Sequence, residues 1–146
     1  MSTILPAAPP HPLAAELRQA TLRLARRLRL EKADDELSDG QTSVLAYLDR
    51  SGAQSPAALS AFEHVSPPSM NRTLNSLQEA GYIDRTPSPD DRRMVSVSVT
   101  DAGRLVVNET RRRRDAWLEG RLDGLSADDR DVLGEAAAII RKLLEA

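Results

Sequence analysis

VSPPSMNRTLNSLQEAGYIDRTPSPDDRRMVSVSVTDAG, residues 65–103, decides the fold. Ser66 followed by Pro67 is an N-cap with proline at the first helical position, so a helix opens there. Gly81 closes it. At 100° per residue, Met70, Leu74 and Leu77 share one side and form its core face. Arg72 lies almost opposite, flanked by Pro68, Ser69, Asn75 and Ser76. That outward face is small and polar, with a single cation. Beyond Gly81, YIDRT and MVSVSVT read as two strands, the second with Val95, Val97 and Val99 in alternation. The connection between them exceeds a two-residue turn, so the hairpin carries a protruding tip with the run Asp90-Asp91-Arg92-Arg93.

Working outward, Ser55-Pro56 repeats the cap signal and opens a short helix through about Glu63. Two short capped helices meeting at a tight turn make a helix-turn-helix pattern. Ser38 with Gln41 is a capping box for an earlier helix, with Val44, Leu45 and Leu48 apolar and Ser51-Gly52 at its end. Leu13, Leu17, Ala20, Leu24 and Leu28 recur at helical spacing over about 13–32. Downstream, Thr100 caps a helix to about Arg121. Ser126, with Asp129 three residues on, caps a last helix whose stripe runs through Val132, Leu133, Ala136, Ala137, Ile140, Leu143 and Leu144. The spacing predicts a mainly α chain with one small β-hairpin. Four prolines after Leu5 predict an extended, flexible arm over residues 1–12.

The 146 residues suit one domain with helical extensions. Apolar residues are 40% and aromatics 3% of the chain, so the expected core is aliphatic. No run approaches the length of a membrane span, and the N-terminus lacks the basic start and apolar core of a signal peptide. The cytoplasm is the expected compartment. Without cysteine, disulfides and thiolate metal sites are excluded. His11 and His64 have no partners at ligand spacing, so no metal is expected. No nucleophile–base pair or phosphate-binding glycine loop appears, so neither catalysis nor a cofactor is expected.

The net charge of −2 does not announce nucleic acid, but its distribution is uneven. Residues 11–30 hold five arginines against Glu16. Residues 101–114 hold five, Arg104 and Arg111 to Arg114, against Asp101 and Glu109. Acidic clusters at 34–39 and 128–135 restore the average.

The order of helices and hairpin resembles the MarR family of winged helix-turn-helix transcriptional regulators. Asp91-Arg92-Arg93 before the valine strand and VTDAG matches that family's wing, and SPPSMNR matches the start of its recognition helix. The resemblance implies a winged helix-turn-helix over 37–100, with 13–36 and 101–146 forming a helical dimerisation region. It implies a homodimer on a palindromic operator in double-stranded DNA, most often a repressor released by a small-molecule effector. The expected dimer contacts are Leu13, Leu17, Trp117, Leu118, Leu133, Ala137, Ile140 and Leu144. Lacking cysteine, the chain cannot carry the thiol peroxide switch of some relatives.

Within that reading, Arg72 and Asn75 are candidate base readers, because Arg pairs with guanine and Asn with adenine in the major groove. Ser69 and Ser76 are candidate phosphate or base contacts beside Pro68 and Asn71. Ser66 marks a helix N-terminus whose N–H groups can face a phosphate. In extended chain, Asp91 and Arg93 share a side and Arg92 points away. An exposed pair of that kind adds at most about 1 kcal/mol, so aiming Arg93 into a minor groove is the better reason for it. Arg92 and Arg85 are candidate phosphate contacts. Residues 66–100 nevertheless hold four arginines and four acids, a weak basis for bulk attraction to DNA.

Arg111 to Arg114 spread over 300° of helix and cannot share a face. Structural ion pairing is the favoured reading, with cleft lining and DNA contact as alternatives. Two rival functions stand beside DNA reading: a winged-helix module that binds protein, and a small-molecule binding protein without an operator.

Overall fold

The computed structural model describes residues 4, 5, 8, 9 and 11–145. Residues 1–3, 6, 7 and 10 of the expected arm lie outside the described residues. Six helices and one hairpin follow in order: α1 Pro12–Arg29, α2 Asp39–Ser51, α3 Pro56–Glu63, α4 Pro67–Glu79, β1 Ile83–Pro87, β2 Val95–Val99, α5 Asp101–Asp123 and α6 Ala127–Glu145.

The caps expected from sequence are in place. Ser38 and Gln41 form a reciprocal capping box, and the Ser55, Ser66 and Thr100 side chains each accept a first-turn N–H. Only α1 ends earlier than its leucine spacing predicts. Its last turn tightens, with Leu30 N–H bonded to Arg27 O and Glu31 N–H to Leu28 O. The Arg114 Nε then donates to the carbonyls of Leu28 and Glu31, at 3.1 and 3.2 Å. An arginine from another helix thus adds a donor to the carbonyls where α1 stops.

The core joins Leu37, Val44, Leu45, Leu48, Leu59, Met70, Leu74, Leu77, Ile83, Val97 and Val107. It therefore lies where α2, α3, α4, the hairpin and the start of α5 meet. The strands pair antiparallel from Ile83↔Val99 to Pro87↔Val95. Gln54 adds a third rung, exchanging both backbone hydrogen bonds with Val97. Val97 is fully buried, whereas Val95 is exposed because its end of the strand runs past the core toward the tip.

A tight contact fixes α5 to the hairpin. Thr100 Oγ1 donates to Gly81 O at 2.7 Å and accepts from Gly103 N–H at 3.1 Å. A Cβ on Gly103 would sit 2.3 Å from the Tyr82 carbonyl oxygen, so only glycine fits.

The terminal helices differ from this core. Neither α1 nor α6 contains a buried residue. Leu13, Leu133, Ala137 and Leu144 are exposed, while Leu17, Trp117, Leu118 and Ile140 are half-buried. Ala14, Leu17, Ile140, Leu143 and Leu144 line an open apolar groove of about 450 Å³ between α1 and α6. Trp117 sits between the Arg27 and Arg121 guanidinium groups, 4.7 and 5.2 Å from its ring. Among the described residues, no helix is long and apolar enough to cross a membrane.

Candidate nucleic-acid interface

Helix α4 buries Met70, Leu74 and Leu77 and leaves Ser66, Pro68, Asn71, Arg72, Asn75 and Ser76 exposed, with Ser69 half-buried. The angular reading of the sequence therefore holds. Three residues, 64–66, connect α3 to α4, and His64 makes the corner in the left-handed region at φ 55°.

The start of α4 departs from the expected phosphate seat. Pro67 and Pro68 carry no N–H. The Ser69 N–H goes to Ser66 Oγ at 3.3 Å, and the Met70 N–H to Ser66 O at 2.9 Å. The two prolines that mark the helix in sequence also remove the amides that an anion would use.

The tip corrects a second expectation. Asp91 and Arg93 do pair, Nε to Oδ1 at 3.3 Å, but on a turn rather than in extended chain. Asp91 Oδ1 also accepts the Arg93 backbone N–H at 3.0 Å, and Asp91 O accepts from Met94 N–H at 2.9 Å. A short acidic side chain bonded to the backbone two residues on is the standard way such a turn is held. Because the chain turns, Arg92 does not point away from Arg93. Arg85, Arg92 and Arg93 line one shallow groove of about 380 Å³ along the hairpin, whose lining includes no acid. Asp90 and Asp91 line a different cleft with Ser55 and Ser88. The arginines and the acids of the tip thus line different grooves, although Asp91 reaches across to Arg93.

Arg85 has a role that sequence did not suggest. Its Nε donates to Gln78 Oε1 at 2.8 Å, and its Nη2 donates to Asn75 Oδ1. The guanidinium fork therefore spans the two amides on the flank of α4, clamping the hairpin to the helix. The partners lie seven and ten residues away with no periodic signal to link them.

The arginine run spends its guanidinium groups on bonds within the chain. Arg111 pairs with Asp49 on α2 at 3.0 Å. Arg112 and Arg113 both bond Glu109, and Arg113 Nη1 donates to Lys32 O. Arg114 caps α1 as described. Three of the four arginines thus pair with carboxylates, as the favoured reading has it, while Arg114 bonds backbone carbonyls instead. Hydrogen bonds from Arg112 and Arg113 hold the Glu109 carboxyl down at about 2. Asp49 also meets Arg104, at 3.5 Å, so one carboxylate ties α2 to two turns of α5. Tyr82, just before β1, donates its hydroxyl to Asp34 in the α1–α2 connection at 2.7 Å, and that acceptor raises the phenol's pKa.

With this geometry in hand, likeness to known proteins is informative. The sequence profile of the MarR family matches residues 37–95, from the residue before the capping box to the start of β2. An HTH-type transcriptional regulator of Mycobacterium leprae is 44% identical over 133 residues, covering 91% of this chain and 93% of that protein. The chain belongs to the MarR family. It is a transcriptional regulator of the winged helix-turn-helix class, not an enzyme. Among solved structures, this MarR-family fold is similar to Streptococcus pneumoniae FabT, crystallised in complex with DNA. The TM-score is 0.71 at 24% identity, over 91% of this chain and 97% of that one. It is also similar to Bordetella bronchiseptica BpsR, whose DNA binding is regulated by 6-hydroxynicotinic acid. There the TM-score is 0.67 at 23% identity, over 95% and 99%.

Proposed function

We propose that this MarR-family chain is a homodimeric repressor that binds a palindromic operator and is released by a small-molecule effector. The observation carrying the reading is the division of surfaces. Residues 37–100 hold nearly the whole core and present an outward face of Arg72, Ser69, Asn71, Asn75 and Ser76. Residues 13–36 and 101–146 supply α1 and α6, helices whose apolar stripes have nothing to cover them in a single chain. A second copy on Leu13, Leu17, Trp117, Leu118, Leu133, Ala137, Ile140 and Leu144 would cover them. Two readers related by a two-fold axis suit half-sites about one helical turn apart.

In this reading α4 enters the major groove with Arg72 as its leading base contact. Arg93, aimed by Asp91, enters the flanking minor groove, where narrow A·T-rich tracts concentrate negative potential. Arg92 and the remaining N–H groups of Arg85 face phosphates along the same groove. Ser66 and Pro68 contact the DNA backbone by shape, without amide donors. The acidic net charge is tolerable because the groove of Arg85, Arg92 and Arg93 has no acid in its lining.

The FabT–DNA complex supports DNA as the partner, and BpsR supports an effector of small-molecule class. An effector acts by binding better to a dimer whose readers are wrongly spaced. Sedimentation of the protein with and without an operator fragment tests the assembly: two chains per fragment are expected. One chain per fragment, or a monomer at micromolar concentration, would contradict it. The reading as a protein-binding module is disfavoured by the small polar face of α4.

A further inference from the structure

We infer that Arg85 sets the base preference of the recognition helix by fixing the Asn75 amide as a hydrogen-bond donor. The inference rests on the proposed DNA reading. Arg85 reaches from β1 and donates to Asn75 Oδ1 and Gln78 Oε1. A guanidinium has only donors, so the two amides must turn their oxygens toward it and their NH2 groups away. Asn75 is exposed on the side of α4 away from the core, so its NH2 is the edge left for a base.

The consequence follows from the major-groove pattern. Reading adenine requires an amide to accept from N6 and donate to N7 at once. Arg85 takes one of the two lone pairs of Oδ1 and leaves only the second for N6, which disfavours that paired contact. A donor meets acceptors alone on guanine, with O6 and N7, and on thymine, with O4, whereas adenine sets its N7 acceptor beside an N6 amino group that wants an acceptor. Cytosine, whose amino group also donates, is rejected. The asparagine that sequence alone assigns to adenine therefore favours G or T. Its partner Gln78 lies nearer the core, and its held oxygen keeps the fork from swinging off Asn75.

Selection from randomised double-stranded DNA tests this with four proteins: wild type, Asn75→Ala, Arg85→Lys and Arg85→Met. Asn75→Ala identifies the position by the column whose preference disappears. In the wild-type motif that column should hold G or T, enriched about tenfold over A and C, the scale of one well-formed base contact. Arg85→Lys keeps the charge but cannot fork across two oxygens, and Arg85→Met removes the donors. Both should shift the column toward A while the other columns persist. The wild-type column needs no Arg85 variant, so the test survives even if one fails to fold. Adenine in the wild-type column, or an unchanged column in both folded Arg85 variants, would overturn the inference while leaving the DNA reading intact. Absence of any wild-type motif would instead overturn the DNA reading and the inference with it.

Discussion

Asp91 Oδ1 accepts two hydrogen bonds from Arg93, one from its backbone N–H at 3.0 Å and one from its Nε at 3.3 Å. The Arg93 side chain is 91% exposed, so this contact organises the tip without burying anything. Arg93→Ala should weaken operator binding about tenfold, a loss of about 1.4 kcal/mol. Its melting temperature should fall by no more than about 3 °C, because exposed pairs contribute at most about 1 kcal/mol. Asp91→Ala should lose part of the same affinity by freeing the turn. Fluorescence anisotropy with labelled operator measures both. Unchanged affinity in Arg93→Ala would remove the wing from the interface.

Gly103 separates two opposing effects. Alanine is a better helix former than glycine by about 1 kcal/mol. At this position, though, its Cβ would sit 2.3 Å from the Tyr82 carbonyl, a backbone atom that cannot swing aside. The steric term should win, for a net destabilisation of about 2 kcal/mol and a fall of about 5 °C in melting temperature. A stabilised Gly103→Ala protein would show that α5 and the hairpin are not packed this closely.

Asp49 joins α2 to α5 through Arg104 and Arg111, and its carboxylate is 14% exposed against about half for each arginine. Solvent screening at the arginines keeps the worth of the pairs near about 1 kcal/mol. Asp49→Asn should lower the melting temperature by about 3 °C, an effect that shrinks in high salt. A salt-independent loss would point to packing rather than charge.

Glu109 gives a pH signature. Its carboxyl is depressed from 4.5 to about 2 by the Arg112 and Arg113 hydrogen bonds. The contribution of a depressed carboxylate is present above its unfolded pKa and fades as pH falls through the folded one. The associated stability should therefore decline between about pH 4.5 and 2, and Glu109→Gln should flatten that decline. Carboxyl carbon chemical shifts followed by NMR would locate the midpoint directly. A midpoint at the ordinary 4.5 would mean that the fork is not formed in solution.

The regular parts of this chain were legible because they rest on local chemistry. Ser38 with Gln41, Ser55-Pro56 and Ser66-Pro67 announce helices from two to four residues each, and the core face of α4 follows from spacing alone. What failed to show was whatever depended on contacts across the fold. The prolines that located α4 also stripped its amides, an outcome visible only by counting N–H groups on the folded helix. Asp91 and Arg93 were paired correctly for the wrong reason, since a turn held by the aspartate, not a strand, brings them together. Nothing in sequence ties Arg85 to Asn75 and Gln78, so its clamp on α4 shows only in the fold. The zero charge balance of 66–100 does not show that three arginines share one groove whose lining holds no acid.

The central claim is sequence-specific reading of DNA by a two-fold pair of α4 helices. Genomic DNA fragments selected by the purified protein test it most directly. The expected result is one enriched inverted repeat, its half-sites about 10 base pairs apart centre to centre and its enrichment lost with Arg72→Ala. Selection of no inverted repeat, or an enrichment indifferent to Arg72, would contradict it.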